Sequence, residues 1–210
     1  DGKVNQPTEA CDDGNLVDGD GCSKDCKTEG PKLPLPGQLV ITEFMPDPAG
    51  VDDAGEWFEV YNATTATINL KGLVVADDSM YGSADIFTVE TDLVVAGQSR
   101  IVFATNDDST VNGGVAADYN YKGRGVNLDN TADDIYLGIS AGAGRYTTID
   151  SVSYNELGGW PVATGATLEL KDTALSSSSN DQASNWCLAT GRINGVGSDL
   201  GSPGAVSSGC

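Results

Sequence analysis

From Gln38 onward, apolar and polar side chains alternate in short runs. "QLVITEFM" sets Leu39, Ile41 and Glu43 in one phase and Val40, Thr42 and Phe44 in the other. "EWFEVYN" sets Trp57, Glu59 and Tyr61 against Phe58 and Val60. "GLVVADD", "ADIFTVE", "DLVVAGQSRIVFAT", "DDIYLGI", "YTTIDSVSY" and "ATLELKD" follow, each closed by Gly, Asp, Asn or Ser. A period of two in segments rich in Val, Ile, Thr and Tyr reads as strands packed on a core. No long apolar stripe of helical period interrupts them. The pattern predicts an all-β sandwich of roughly eight to ten strands. Between the strands, "ATNDDSTVNGGVAADYNYKGRG" (104–125) reads as a long polar loop or irregular excursion, and "SSSSND" (176–181) as a flexible surface turn.

The first 29 residues do not share this pattern. Their large apolar side chains are Val4, Leu16 and Val17, too few for a core, so such a module needs covalent or metal staples. Pro31, Pro34 and Pro36 then make "GPKLPLPGQ" an extended, semi-rigid linker. The expected organisation is a Cys-rich module over 1–29, a linker over 30–37 and a β-sandwich over 38–210.

Charge and composition narrow the chemistry. Eleven basic and 31 acidic residues give a formal charge of −20, and there is no histidine. Such a surface repels nucleic acid and anionic lipid and attracts divalent cations. Without histidine, Ser-His-Asp and Cys-His nucleophilic sites are excluded, as are zinc sites with histidine ligands. Chemistry that needs only carboxylates survives, but no feature of the sequence picks out a pair. No segment approaches the ~18 apolar residues of a membrane span. Cysteines at 11, 22, 26, 187 and 210, in a chain rich in Gly, Ser and Asp, read as disulfides of an oxidising compartment, which implies a secreted or cell-surface protein.

The stretch "CDDGNLVDGDGCSKDC" carries the sharpest chemical signal. Asp12, Asp13, Asn15, Asp18 and Asp20 place five oxygen donors within nine residues, punctuated by glycines that permit tight turns. Carboxylates so crowded repel one another unless a cation joins them, and calcium takes six to eight oxygens. Glu9 and Asp1 are further candidate ligands. The alternative is a disulfide knot whose acids are merely solvated. A second acidic group, Asp47, Asp52, Asp53 and Glu56 in "MPDPAGVDDAGEW", is a weaker calcium candidate and reads more readily as an Asp/Pro/Gly turn with solvated acids. Glu43 and Glu59 lie on strands, where a buried carboxylate needs a partner. Lys71, Arg100 and Lys171 are the candidate cations. Should Glu43, Glu56 and Glu59 cluster, an ion or a lysine must join them. A Cys187–Cys210 bridge would pin the Gly/Ser-rich end of the chain.

"LVITEFMPDPAGVDDAGEWFEVYN", "INLKGLVVADD", "NLDNTADDIYLGI", "IDSVSY", "GGWP", "ATLELKD", "ASNWC" and "GSPGA" together resemble the bacterial lamin tail domain. The resemblance implies an immunoglobulin-like β-sandwich of a kind used as a binding or structural module. "DGKVNQPTEACDDGNLVDGDGCSKDC" resembles a myxobacterial-type Cys-rich repeat with four cysteines, of which this chain has three. One cysteine is therefore expected to lack a partner within the chain. The expectation is a Cys11–Cys26 clasp across the calcium loop, with Cys22 left over.

Trp57, Trp160 and Trp186 read as packing residues, with sugar stacking by Trp160 as a minority reading. "NAT" at 62–64 is a glycosylation sequon. The function expected is a non-catalytic extracellular or cell-surface adhesion or structural module, stabilised by calcium and disulfides. The alternatives are a self-assembling subunit of an extracellular fibre or filament and a carbohydrate-binding accessory domain. The expected partners are copies of the same chain, a surface glycan or a surface protein, with no nucleic acid and no membrane insertion.

Overall fold

A computed structural model describes residues 2–7, 9–12, 14, 24–27, 33–77, 85–195 and 198–210. It divides into two compact units, 1–33 and 34–210. The division falls inside the proline-rich segment.

In the larger unit the described residues form twelve strands: β1 (Leu39–Met45), β2 (Trp57–Asn62), β3 (Ile68–Asn69), β4 (Leu73–Ala76), β5 (Ile86–Thr88), β6 (Val94–Val95), β7 (Arg100–Ala104), β8 (Tyr119–Asn120), β9 (Ala132–Gly142), β10 (Arg145–Asn155), β11 (Leu168–Leu170) and β12 (Trp186–Leu188). One sheet has the order β12-β11-β1-β2-β7-β8 and the other β10-β9-β4-β5, with β3 and β6 as a separate pair. Every pairing is antiparallel except β7 with β8.

The alternating residues of both larger sheets meet in one apolar core. Phe44 packs on Tyr154 and Trp186 at centroid distances of 4.9 and 5.1 Å, and Phe58 stacks on Phe103 at 4.9 Å. Full burial of an aromatic side chain of this size contributes roughly 1.5–3 kcal/mol. The arrangement is a two-sheet β-sandwich.

Its six-stranded sheet is buried on both faces. On the side away from the main core, Met45, Trp57, Val102 and Ala104 pack under Val115 and Ile193. The chain between 105 and 118 and the C-terminal stretch therefore cover that face. This accounts for strands in which nearly every residue is buried, including all seven of β1.

Three sequence expectations need correction here. The segment 104–125 is not wholly a loop, because it adds β8 alongside β7 and buries Val115 and Tyr121. "DLVVAGQSRIVFAT" is two strands, not one. A turn at Gly97 separates them, where a Cβ would lie 2.2 Å from the Thr65 carbonyl oxygen. The turn 176–181 is anchored by Asn180, which is fully buried.

The smaller unit is held by polar contacts. Glu9 accepts the backbone N–H groups of Asn5 and Gln6, and Asp12 Oδ1 accepts those of Gly2 and Gly14. These amides hold the Asp12 carboxyl below its ordinary range. Cys11 is disulfide-bonded, whereas Cys26 is a free thiol in the left-handed region at φ 55°. The expected Cys11–Cys26 clasp is therefore not formed, and Cys26 stands as a thiol. Cys22, the expected leftover, lies outside the described residues. The Ala10 N–H bonds to the Cys26 carbonyl at 2.9 Å, so the two segments are joined through backbone.

Candidate functional site

Three strands place one glutamate each in register. Glu43 of β1 stands opposite Glu169 of β11 on one side and Glu59 of β2 on the other. A bulge between Ile41 and Glu43 also buries Thr42, whose hydroxyl donates to Glu59 Oε1 at 2.6 Å. The three glutamates are 2, 1 and 1 % exposed. Two unit charges ~5 Å apart repel by about 3 kcal/mol at an effective dielectric of ~20, so the row stands only if donors are aimed at it.

The C-terminal segment supplies most of them. Ser202 N donates to Glu43 Oε1 at 2.7 Å and Gly204 N to Glu59 Oε2 at 2.8 Å. Glu169 accepts five bonds, from Ser202 Oγ, Ser207 Oγ, Ser208 N, Ser208 Oγ and Gly209 N, at 2.6 to 2.9 Å. Thr167 Oγ1 adds a bond to Glu43 at 2.6 Å, and Arg100 Nε lies 3.1 Å from Glu59. Arg100 also sits over the Tyr61 ring and reaches Asp172, so its fork is fixed.

Past the row, Cys210 is bonded to Cys187, the register partner of Glu169 on β12, with a Cα separation of 5.9 Å. Gly209 must be glycine, because a Cβ there would lie 2.1 Å from the Leu188 carbonyl oxygen. The expected bridge is present, and the tail lies against the sheet as a strap.

Ser202 Oγ is 2.7 Å from Glu169 Oε1 and 3.1 Å from Glu43 Oε2, yet it has one hydrogen. A proton on Glu43 satisfies both contacts, with Glu43 donating to Ser202 and Ser202 to Glu169. Burial, with the charge of Glu59 second, pushes Glu43 up to about 8. Burial likewise raises Glu59 to about 7, against the pull of Thr42 and Arg100. Chain atoms fill the space among Thr42, Glu43, Glu59, Arg100, Glu169 and Ser202 and leave no room for a water molecule.

The second acidic group is not gathered in this way. Asp47 accepts Thr164 Oγ1 at 2.5 Å, and Asn130 Nδ2 reaches both Asp47 and Asp52 at 3.2 and 3.4 Å. Asp52 and Asp53 sit on a one-turn helix, Asp52–Gly55. Glu56 is buried under that turn, accepts Leu128 N at 2.9 Å, and is pushed up to about 8, chiefly by burial. Asp53 lines a cavity of about 400 Å³ with Ala54, Lys122 and Val126, a lining that does not include Asp47. Among the described residues no group of three or more carboxylates or thiols is arranged to hold a metal ion. Asp13, Asn15, Asp18 and Asp20 lie outside the described residues. Glu9 and Asp12 turn their carboxylates onto backbone amides.

The expected cluster of Glu43, Glu56 and Glu59 thus loses Glu56 and gains Glu169, and Arg100 is the basic side chain that joins it. Glu169 was hidden in the alternation of "LEL", where it reads as an outward-facing polar residue. The Ser/Gly-rich end reads as a floppy tail until its donors are matched with acceptors. Trp160 is packed on Trp186 at 5.6 Å and is 8 % exposed, which removes the sugar-stacking reading. Asn62 of the sequon is fully buried, and its amide donates to the Ala66 and Ala96 carbonyls.

The sequence model of one protein family, the lamin tail domain, matches residues 34–156. The chain belongs to the lamin tail domain family. The match spans more than half of the chain and stops after β10. In this lamin tail domain β11 and β12 continue the six-stranded sheet beyond the matched residues, and the strap follows them. A comparison with curated proteins returns no match.

Proposed function

We propose that this lamin tail domain is a non-catalytic module of an extracellular or cell-surface protein, serving adhesion or structure. The observation that carries the reading is the fate of its carboxylates. The cluster with the most perturbed acids is filled by the chain's own tail, so no substrate reaches it. Its donors and acceptors are matched to one another, the mark of a structural lock. The Cys187–Cys210 bridge and the strong negative charge favour an oxidising, extracellular setting. The Cys-rich segment is proposed to take calcium through Asp12, Asp13, Asn15, Asp18 and Asp20. That proposal rests on their spacing alone.

The test is retention of the purified, labelled chain on surface glycans and cell-envelope proteins, run beside an assay of glycoside and ester hydrolysis. Turnover that disappears on Glu43→Gln or Glu59→Gln would overturn the non-catalytic reading. The fibre-subunit alternative is favoured by β10, an eleven-residue strand at the margin of its sheet, where a neighbouring chain has backbone to pair with. Sedimentation and negative-stain images distinguish the two readings. Monomers support the adhesion module, and filaments support the subunit.

A further inference from the structure

Strand β10 carries a second buried acid, remote in sequence from the glutamate row. Asp150 is 3 % exposed, and a register shift between Thr148 and Asp150 buries it together with its neighbour Ile149. Its Oδ2 accepts Ile41 N at 2.7 Å and Asn180 Nδ2 at 2.8 Å. The other Asn180 amide hydrogen goes to the Ile41 carbonyl at 3.2 Å. Two atoms of this pair, Asp150 Oδ1 and Asn180 Oδ1, are buried without a hydrogen-bond partner.

We infer that Asp150 is a protonated acid in the folded protein and donates from Oδ1 to Asn180 Oδ1, forming a reciprocal acid–carboxamide pair that fastens the turn 176–182 to β1 and β10. With the acid ionised, both orphaned atoms are acceptors and neither can satisfy the other. A single proton turns one of them into a donor. Rotating the Asn180 amide by 180° offers no escape, because its oxygen would then face both the Ile41 carbonyl and Asp150 Oδ2. A buried polar atom left unpaired carries its full desolvation cost, so the protonated arrangement is the one that closes.

The surroundings agree. Burial raises the Asp150 carboxyl to about 7, and Asp181 on the same turn adds to the rise. The other neighbours that touch it, Ile41 from β1 and Ser151 from β10, are uncharged. The turn is rigid from its other side, since Asn180 N bonds to Ser176 O and Trp186 Nε1 to Asn180 O, at 3.1 and 2.7 Å. The pair therefore acts as a pH-dependent clasp between the two sheets. It is closed in mildly acidic solution. It opens as the acid ionises, when a charge is left against Asn180 Oδ1 with no cation among the described residues to meet it.

The test is carbon NMR of the side-chain carboxyls in the intact chain, combined with urea unfolding of Asp150→Asn between pH 5 and pH 8. The Asp150 carboxyl is expected to titrate near 7, about three units above the ordinary value. Asp150→Asn supplies a donor at the same place and has no proton to lose. It should match the parent at pH 5 and outlast it at pH 8. Glu43, Glu56 and Glu59 titrate over a similar range, so the difference between parent and variant isolates the clasp. An Asp150 titration near 4, or an equal loss of stability in the variant at both pH values, overturns the inference. So does a variant that fails to fold, since the substitution keeps the shape of the pair.

Discussion

Glu43 and Glu169 face each other across the β1–β11 pair and share one hydroxyl, that of Ser202. Like charges directly opposite on antiparallel strands destabilise a sheet. Here the two acids sit in unlike surroundings: burial raises the Glu43 carboxyl, which favours its protonated form, and Glu169 accepts five donors.

That asymmetry separates two conservative substitutions. Glu43→Gln keeps an acceptor for Thr167 and Ser202 N and places an amide donor toward Ser202 Oγ. It should change stability by less than ~1 kcal/mol at pH 7. Glu169→Gln loses acceptors on an oxygen that faces two or three donors, and should cost about 2–3 kcal/mol. Urea denaturation of the two variants side by side gives the comparison, and equal losses would show that Glu43 is ionised.

The raised acids set the direction of the pH response. Glu43 and Glu56 stand at about 8 and Glu59 at about 7, all above their unfolded values of ~4.3. Between the unfolded and folded pKa the native state holds protons that the unfolded chain has released, so stability falls as pH rises. The stabilisation is complete below about pH 4 and is lost progressively up to about pH 8. The urea midpoint should therefore be higher at pH 5 than at pH 8. A midpoint that is flat or rises over that interval contradicts the burial argument.

Reduction of Cys187–Cys210 should loosen the strap without unfolding the sandwich. The bridge closes a segment with a sequence separation of 23 and is worth roughly 3 kcal/mol on the loop-entropy account. Hydrogen exchange at Ser208 and Gly209 should accelerate on reduction, while exchange in β1 and β2 stays slow. In the unreduced protein a thiol reagent should label Cys26, and a Cys26 found in a disulfide would contradict the structure.

Calcium is testable in the Cys-rich unit alone. A ligand that binds only the folded form stabilises it by about 2.7 kcal/mol at a hundredfold excess over Kd. Chelator should open residues 1–33 to protease and spare 34–210. Asp20→Ala and Asp13→Ala should act as chelator does. Identical digestion with calcium and with chelator would remove the metal from the account.

The sandwich was legible because period-two alternation records which face of a strand is buried. The Glu43, Glu59 and Arg100 association was partly legible too, since charged residues on otherwise apolar strands demand partners. Glu169 was not. In a sheet buried on both faces, the polar phase of a strand no longer marks solvent, and "LEL" gives no sign of what covers it. Asn180 failed for a related reason. A run of serines ending in Asn-Asp has the composition of a solvent-exposed turn, and only tertiary contacts show its amide buried between β1 and β10.

The bridge from Cys210 to Cys187 also decides how tension enters the molecule. A pull on residue 210 is delivered directly to β12, two strands from β1 in the same sheet, and bypasses residues 188–209. The strap over the glutamates carries no load while the bridge is intact. Stretched from residue 210, the oxidised chain behaves as a tether fixed at a strand. Reduction turns the same residues into slack that must peel off its hydrogen bonds before the sheet feels any force.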